Sequence, residues 1–246
     1  MPGMLQHMEL VAEGVWLVRG GMPKVMNVYL IEDEGGMTMF DAGISGMEKN
    51  LAKAAAPYGG IKRIVLGHGH ADHRGSAAAF AADGIEVFCH EEEVADAQGD
   101  GGLHYFTMDT LSFPPARFLM PKMLHSWDGG PVKITGSLRE GDGIAGFDVV
   151  HLPGHAPGLI GLWRESDGVA LVSDTFYTLD PQTGRKGQPR VPLGAFNQDT
   201  EAAKASIRKL SALDPKIAWP GHAGPMTDDA ADKLEWLADN GGTLPK

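Results

Sequence analysis

Apolar residues along this chain come mostly in short runs bounded by glycine, proline and acidic residues, a spacing that suits buried strands and brief helices. Residues 14–18 and 26–31 read as paired strands, followed by 37–40 running into Asp41-Ala42-Gly43, so an N-terminal meander is the simplest arrangement. Residues 47–57 carry a helical pattern, 61–66 a strand, 76–82 a short Ala-rich helix and 85–88 another strand. Strands are expected again at 147–152, 168–173 and 216–219, a turn between strands at 138–142, and a last helix at 228–238. Strands alternating with helical segments predict a mixed α/β architecture.

Between 99 and 131 the pattern changes. Glycines and prolines punctuate a dense apolar series that includes Leu103, Tyr105, Phe106, Leu111, Met120 and Trp127, too apolar for a solvated linker. Two readings stand: a helical insertion buried as core or in a homodimer interface, or a lid forming the apolar wall of a substrate pocket. His104 and His125 lie here without ligand spacing and are read as non-ligands.

Composition narrows the picture. At 246 residues with 43% hydrophobic content, one large domain with a sizeable core is favoured. A formal net charge of -11 argues against a phosphate-tracking surface, so no nucleic-acid partner is expected. Cys89 is the single cysteine and permits no internal disulfide; residues 1–11 lack a basic then apolar leader pattern; no apolar run spans a bilayer. The expectation is a cytoplasmic, soluble protein without a membrane partner.

Chemistry concentrates in Gly67-His68-Gly69-His70-Ala71-Asp72-His73-Arg74-Gly75, directly after the strand at 61–66. Three imidazoles and a carboxylate in so few residues point to metal ligation rather than packing. His68 and His70 can aim at one ion while Asp72 and His73 turn toward a second. Imidazole nitrogen with carboxylate oxygen favours zinc, and suits iron, cobalt or manganese as well. Elsewhere His155 sits in the rigid loop Pro153-Gly154-His155-Ala156-Pro157-Gly158, Asp174 ends an apolar strand, and His222 follows Pro220-Gly221. Asp41, also at a strand end, can orient a ligand histidine from behind or cap the next helix. His90 reads as a helix-start residue, and His151 as facing away from the site. The pairs Phe40-Asp41 with Ser173-Asp174, and Leu66-Gly67-His68 with Pro220-Gly221-His222, echo one another, as two related β/α halves meeting at one edge would require.

These residues resemble the metallo-β-lactamase superfamily over nearly the whole chain: His68-x-His70-x-Asp72-His73, then His155, Asp174 and His222 in order. The resemblance implies an αβ/βα four-layer sandwich with two divalent ions at the edge of its sheets. It implies His68, His70 and His155 on one ion, Asp72, His73 and His222 on the other, and Asp174 bridging. Hydroxide held by the ions would attack a carbonyl carbon, with Asp72 or Asp174 relaying the proton.

Departures from particular branches narrow the substrate. Class B1 β-lactamases carry cysteine where this chain has Asp174, and glyoxalase II enzymes carry a long helical extension where residues 223–246 follow His222 here. The chain is most similar to N-acyl homoserine lactone lactonases, quorum-quenching enzymes that place a tyrosine three residues after the bridging aspartate, as in Asp174-Thr175-Phe176-Tyr177. A phenol there would donate to the carbonyl oxygen of a bound ester or lactone. The expectation is a lactonase acting on a small molecule with an apolar arm. The alternatives are a β-lactamase or thioesterase-type hydrolase of the same superfamily, or a mononuclear iron persulfide dioxygenase.

Overall fold

The computed structural model describes residues 8–21 and 24–245. A seven-stranded sheet is laid down in chain order: β1 (Met8–Ala12), β2 (Val15–Gly20), β3 (Met26–Asp33), β4 (Gly36–Phe40), β5 (Ile61–Val65), β6 (Glu86–His90) and β7 (Gly136–Leu138). The first four form the expected antiparallel meander; from β4 onward the neighbours are parallel. Helices α1 (Glu48–Ala55), α2 (Ala71–Arg74), α3 (Ala77–Ala82), α4 (Val94–Gln98) and α5 (Pro114–Trp127) fall between β4 and β7. A second sheet follows from β8 (Gly143–Ile144), β9 (Phe147–His151), β10 (Ile160–Arg164), β11 (Val169–Leu171) and β14 (Ile217–Trp219), in the order β14-β11-β10-β9-β8. The hairpin β12 (Tyr177–Asp180) and β13 (Arg185–Arg190), with helices α6 (Thr200–Ser211) and α7 (Ala230–Asn240), complete the chain.

Alternation along the strands explains why their apolar runs are nearly continuous. On β3, Val28 and Leu30 meet Leu51 and Ala55 of α1, whereas Tyr29 and Ile31 face the opposite way, toward Val149, Leu162 and Leu171 of the second sheet. On β9 and β11, Val150 and Ala170 turn outward onto Ile207 and Leu210 of α6 and Leu234 of α7. Each sheet is therefore buried on both faces, and the layers stack helix, sheet, sheet, helix: the four-layer αβ/βα sandwich. No helix among the described residues is long and apolar enough to cross a membrane.

The internal echo has a structural basis. In each sheet two parallel neighbours end level: Phe40 is in register with Val65, and Leu171 with Trp219. Asp41 and His68 thus leave one sheet, and Asp174 and His222 the other, at the same edge of the sandwich.

Cys89 lies on β6, completely buried, and burial pushes its thiol up to about 12. A thiol held so far from its thiolate is inert. Native protein at pH 8 should resist a thiol reagent for hours while the denatured chain reacts at once; rapid labelling of the native form would contradict the packing of β6.

Candidate metal centre

The ligand-rich motif leaves β5 as a loop and enters α2, with His70 in extended conformation at the helix start and Asp72 and His73 inside its single turn. The short turn brings Asp72 and His73 to the His222 side while His68 and His70 face His155. Two clusters result, His68/His70/His155 and Asp72/His73/His222, each with its ligand atoms within 4.8 Å of one another. His70 Nδ1 lies 3.0 Å from His155 Nε2, and His73 Nε2 lies 3.3 Å from His222 Nε2. Asp174 sits between the clusters. Its Oδ2 is 3.2 Å from His222 Nε2 and 3.6 Å from His155 Nε2, and its Oδ1 is 3.3 Å from His73 Nε2.

Whether these residues fit metal ions can be judged from the rear of each ring. His73 Nδ1 faces Asp41 Oδ2 at 2.9 Å, His68 Nδ1 faces Ser173 Oγ at 3.1 Å, His155 Nδ1 faces Asn197 Oδ1 at 3.1 Å, and His70 Nε2 faces the Tyr105 hydroxyl at 2.5 Å. The Ser173 hydroxyl itself donates to Asp41 at 2.8 Å. Each of these four rings can then donate its rear N–H and aim the other nitrogen's lone pair inward, the arrangement that orients metal-bound histidines. His68 Nε2 and Asp174 Oδ1 are buried with no hydrogen-bond partner, as atoms meant for a cation would be. The donor set suits two divalent ions.

Protonation agrees with that fit. Burial, reinforced by neighbouring rings, holds His68 and His70 well below the usual imidazole range, so both rings are neutral, as metal ligation would require. Burial also lowers His155, against the opposing pull of Asp174 and Asn197. For His73 and His222 burial is outweighed by carboxylates, chiefly Asp174, and both are raised. Cations bound there would take the place of those protons.

Glycine makes the convergence sterically feasible. A Cβ on Gly221 would collide with both Asp174 Oδ1 and His73 Cε1. The loop carrying His222 is fastened to β3: Asn27 Nδ2 and the Tyr29 hydroxyl both donate to Pro220 O, at 2.9 and 2.6 Å.

Asp41, read from the sequence as either a cap or a ligand-orienting group, has the geometry of the second: besides His73 it accepts from Gly67 N at 2.7 Å. His90 starts a 3-10 turn and stacks on His151 with ring centroids 4.1 Å apart, away from both clusters. Ser173, Asn197 and Tyr105 have no sequence signature as ligand-orienting groups, since each acts on a histidine far away in the chain.

A cavity of about 600 Å³ opens over the clusters, lined by His70, Asp72, Asp174 and Tyr177 at its floor and by Phe106, Met120, Met123, Leu124 and Trp127 of the 99–131 segment along one wall. The hairpin β12–β13 forms the other wall, and its Gln182 Oε1 accepts from Phe113 N at 2.9 Å at the start of α5. Ala116, Met120 and Leu124 of α5 pack on Ala71, Ala195 and Phe196, while Phe118 and Leu119 remain exposed. Tyr177 is buried, its ring edge-on to His155 and His222 at 6.0 and 5.7 Å between centroids. Burial, then the charges of Asp174 and Asp72, push its phenol well above the ordinary value, so it remains a hydrogen-bond donor.

Comparison with known proteins agrees with this geometry. The family model described as "Metallo-beta-lactamase superfamily" matches residues 22–222. Probable metallo-hydrolase YqjP of Bacillus subtilis is 30% identical over 218 residues, covering 81% of this chain and 67% of the relative. Hydroxyacylglutathione hydrolase GloC of Haemophilus influenzae is 29% identical over 170 residues, covering 68% of this chain and 71% of the relative. The crystal structure of the metallo-beta-lactamase family protein TTHA1429 from Thermus thermophilus superimposes with a TM-score of 0.68 at 25% identity, covering 93% of this chain and 79% of that one. A family match that runs through all seven candidate ligands, on a sandwich whose two sheets deliver those residues to one edge, places the chain in the metallo-β-lactamase superfamily.

Proposed function

We propose that this metallo-hydrolase opens an uncharged ester or lactone carbonyl bearing an apolar arm, with acyl homoserine lactones the leading substrate class. The observation that carries the reading is Tyr177, a buried phenol beside the bridging position of Asp174, on the floor of a cavity with an apolar wall. His68, His70 and His155 would hold one divalent ion, Asp72, His73 and His222 the other, with Asp174 shared. Zinc suits the donors best, and iron, cobalt or manganese fit the same set. When bound, the ions supply Lewis acidity and lower the pKa of water, so that a nucleophile is available near neutral pH.

The chain's own residues supply the rest. Phe106, Met120 and Leu124 bind the apolar arm and exclude water, so the 99–131 segment acts as a lid that orients the carbonyl over Asp174. The Tyr177 hydroxyl donates to the carbonyl oxygen as negative charge develops there. Asp72, the more exposed of the two acids at 14% against 3%, accepts the nucleophile's proton and passes it to the leaving alkoxide.

Tyr177→Phe keeps the packing and removes only the donor. Lactone turnover should fall about 10²-fold, mainly in kcat, by analogy with a lost oxyanion-hole donor. The decisive assay is a panel of acyl homoserine lactones, simple lactones, thioesters, β-lactams and phosphodiesters on metal-replete protein. Phosphodiester or β-lactam turnover far above every lactone would overturn the assignment. An unchanged Tyr177→Phe rate would remove the phenol from the mechanism.

A second reading, thioester hydrolysis, is favoured by the similarity to hydroxyacylglutathione hydrolase GloC. Thioester turnover above that of every lactone would select it.

A further inference from the structure

Three consecutive acids follow β6, and their surroundings differ: Glu91 and Glu92 are exposed, whereas Glu93 is completely buried. A buried carboxylate is costly unless its oxygens are hydrogen-bonded. Both oxygens of Glu93 are. Oε2 accepts from Gly69 N and Oε1 from Gly158 N, each at 2.7 Å.

The two donors belong to different halves of the sandwich. Gly69 lies between His68 and His70 on the loop leaving the first sheet; Gly158 lies three residues beyond His155 on the loop leaving the second. One side chain therefore spans the two loops that carry every histidine of the His68/His70/His155 cluster, while contributing no ligand atom to it. The approach is close at Gly158, where a Cβ would lie 2.9 Å from Glu93 Cγ; at Gly69 a Cβ would lie 2.9 Å from Ala97 N, in the helix that follows Glu93. The other cluster is braced separately, through Asp41 behind His73 and through Asn27 and Tyr29 on the His222 loop.

We propose that Glu93 is a positioning residue for the His68/His70/His155 ion site: its carboxylate fixes the separation of the two ligand loops and so sets the affinity of that one site, without touching ion or substrate. Loss of one of its two acceptor oxygens should be felt selectively. Glu93→Gln is close in size, but its amide turns an NH2 group toward one of the two backbone donors, so only one loop can be held.

The test uses metal-free full-length protein titrated with Zn2+ against a chelating indicator, without substrate, so its outcome does not depend on the lactonase reading. His222→Ala identifies which binding step belongs to which cluster. In Glu93→Gln the step at His68/His70/His155 should weaken by about 10- to 100-fold, the usual cost of losing a group behind a ligand. The Asp72/His73/His222 step should move by less than about threefold, and the Co2+ absorption spectrum of the His68/His70/His155 site should change. Leu51→Ala, which empties part of the core under α1, controls for general destabilisation: Tm should fall with both affinities kept.

Unchanged affinities in folded Glu93→Gln, or equal weakening of both steps, would overturn the proposal. If Glu93→Gln does not fold, Gly158→Ala, whose methyl displaces the Glu93 side chain, carries the same measurement. Failure of both variants to fold would assign Glu93 to the fold alone and overturn it equally.

Discussion

Asp174→Ala is expected to reduce turnover by at least about 10³-fold, roughly 4 kcal/mol of barrier, and to lower the metal content of purified protein. The expectation follows from position: its two oxygens approach His73, His222 and His155, so it reaches both clusters. Alanine removes the carboxylate nearest to His73 Nε2 and His222 Nε2 and, with it, the group proposed to be shared by the two clusters. The fold should survive, because Asp174 packs in none of the apolar clusters and its backbone turn is fixed by Thr175 N donating to Val172 O at 3.1 Å. Asp174→Asn should fall between the parent and the alanine variant, retaining shape and one good ligand oxygen while losing charge. Elemental analysis alongside steady-state rates provides the check. Activity within about tenfold of the parent, or about 1.4 kcal/mol, at full metal content would deny Asp174 the bridging role.

How much of this centre was legible in the sequence depended on how local each residue's task is. His68, His70, Asp72 and His73 announce themselves because four ligand-type side chains fall within one loop and one helical turn at a strand end. His155 and His222 could be picked out from neighbouring glycine and proline, which fix the loops that present them. Asn197, Ser173 and Tyr105 could not. Each orients a histidine that lies between 35 and 105 residues away, and nothing in their own surroundings marks that task. Glu93 was hidden inside an acidic run that reads as solvated, although only two of its three members are exposed.

The fold shows the same division. The strand at 26–31 was evident because both faces are buried and every residue but Asn27 is apolar, and the strand at 61–66 from Ile61 and Ile64-Val65-Leu66 around Lys62 and Arg63; β3 extends to Asp33 and β5 stops at Val65. The expected strand at 168–173 stops at Leu171, because Ser173 adopts a positive φ of 44° to turn the chain toward the site. In the 99–131 segment, Pro121 lies inside α5 and Pro114 opens it, so the apolar pattern reads as broken although the helix runs for 14 residues. The exposed hairpin strand β13, Arg185–Arg190, carries charge and glycine instead of alternation and gave no signal.

Arg74→Ala should be the most destabilising change near the centre that removes no ligand. Arg74 closes the motif, is completely buried, and uses its planar fork fully: Nη1 donates to Asp96 O and Ala97 O at 2.7 and 2.8 Å, Nη2 to Gly99 O at 3.1 Å and Asp128 Oδ2 at 2.9 Å, and Nε to Asp128 Oδ1 at 3.2 Å. Its partners lie at both ends of the 99–131 segment, so one guanidinium gathers the chain where it leaves and rejoins the sandwich. Alanine would leave the Asp128 carboxylate with Gly130 N as its remaining donor and take the charged donor from the Asp96 and Ala97 carbonyls, which keep the backbone N–H groups of Gly99, Gly101 and Val132. Removing one partner of such a set costs about 3 to 5 kcal/mol when burial is complete; Asp128 is 24% exposed and regains water, so about 3 kcal/mol is the better figure. For a chain of this length that is a fall in Tm of roughly 6 to 12 °C. Arg74→Lys should recover only part of it, because an ammonium cannot reproduce the bidentate grip on Asp128. Hydrogen exchange should rise across 103–127 while metal content stays near the parent's, separating loss of the cavity wall from loss of the ion site. A Tm within about 2 °C of the parent, less than 1 kcal/mol on the same scale, would mean that the segment is held by the packing of α5 against Ala71 and Phe196 and not by Arg74.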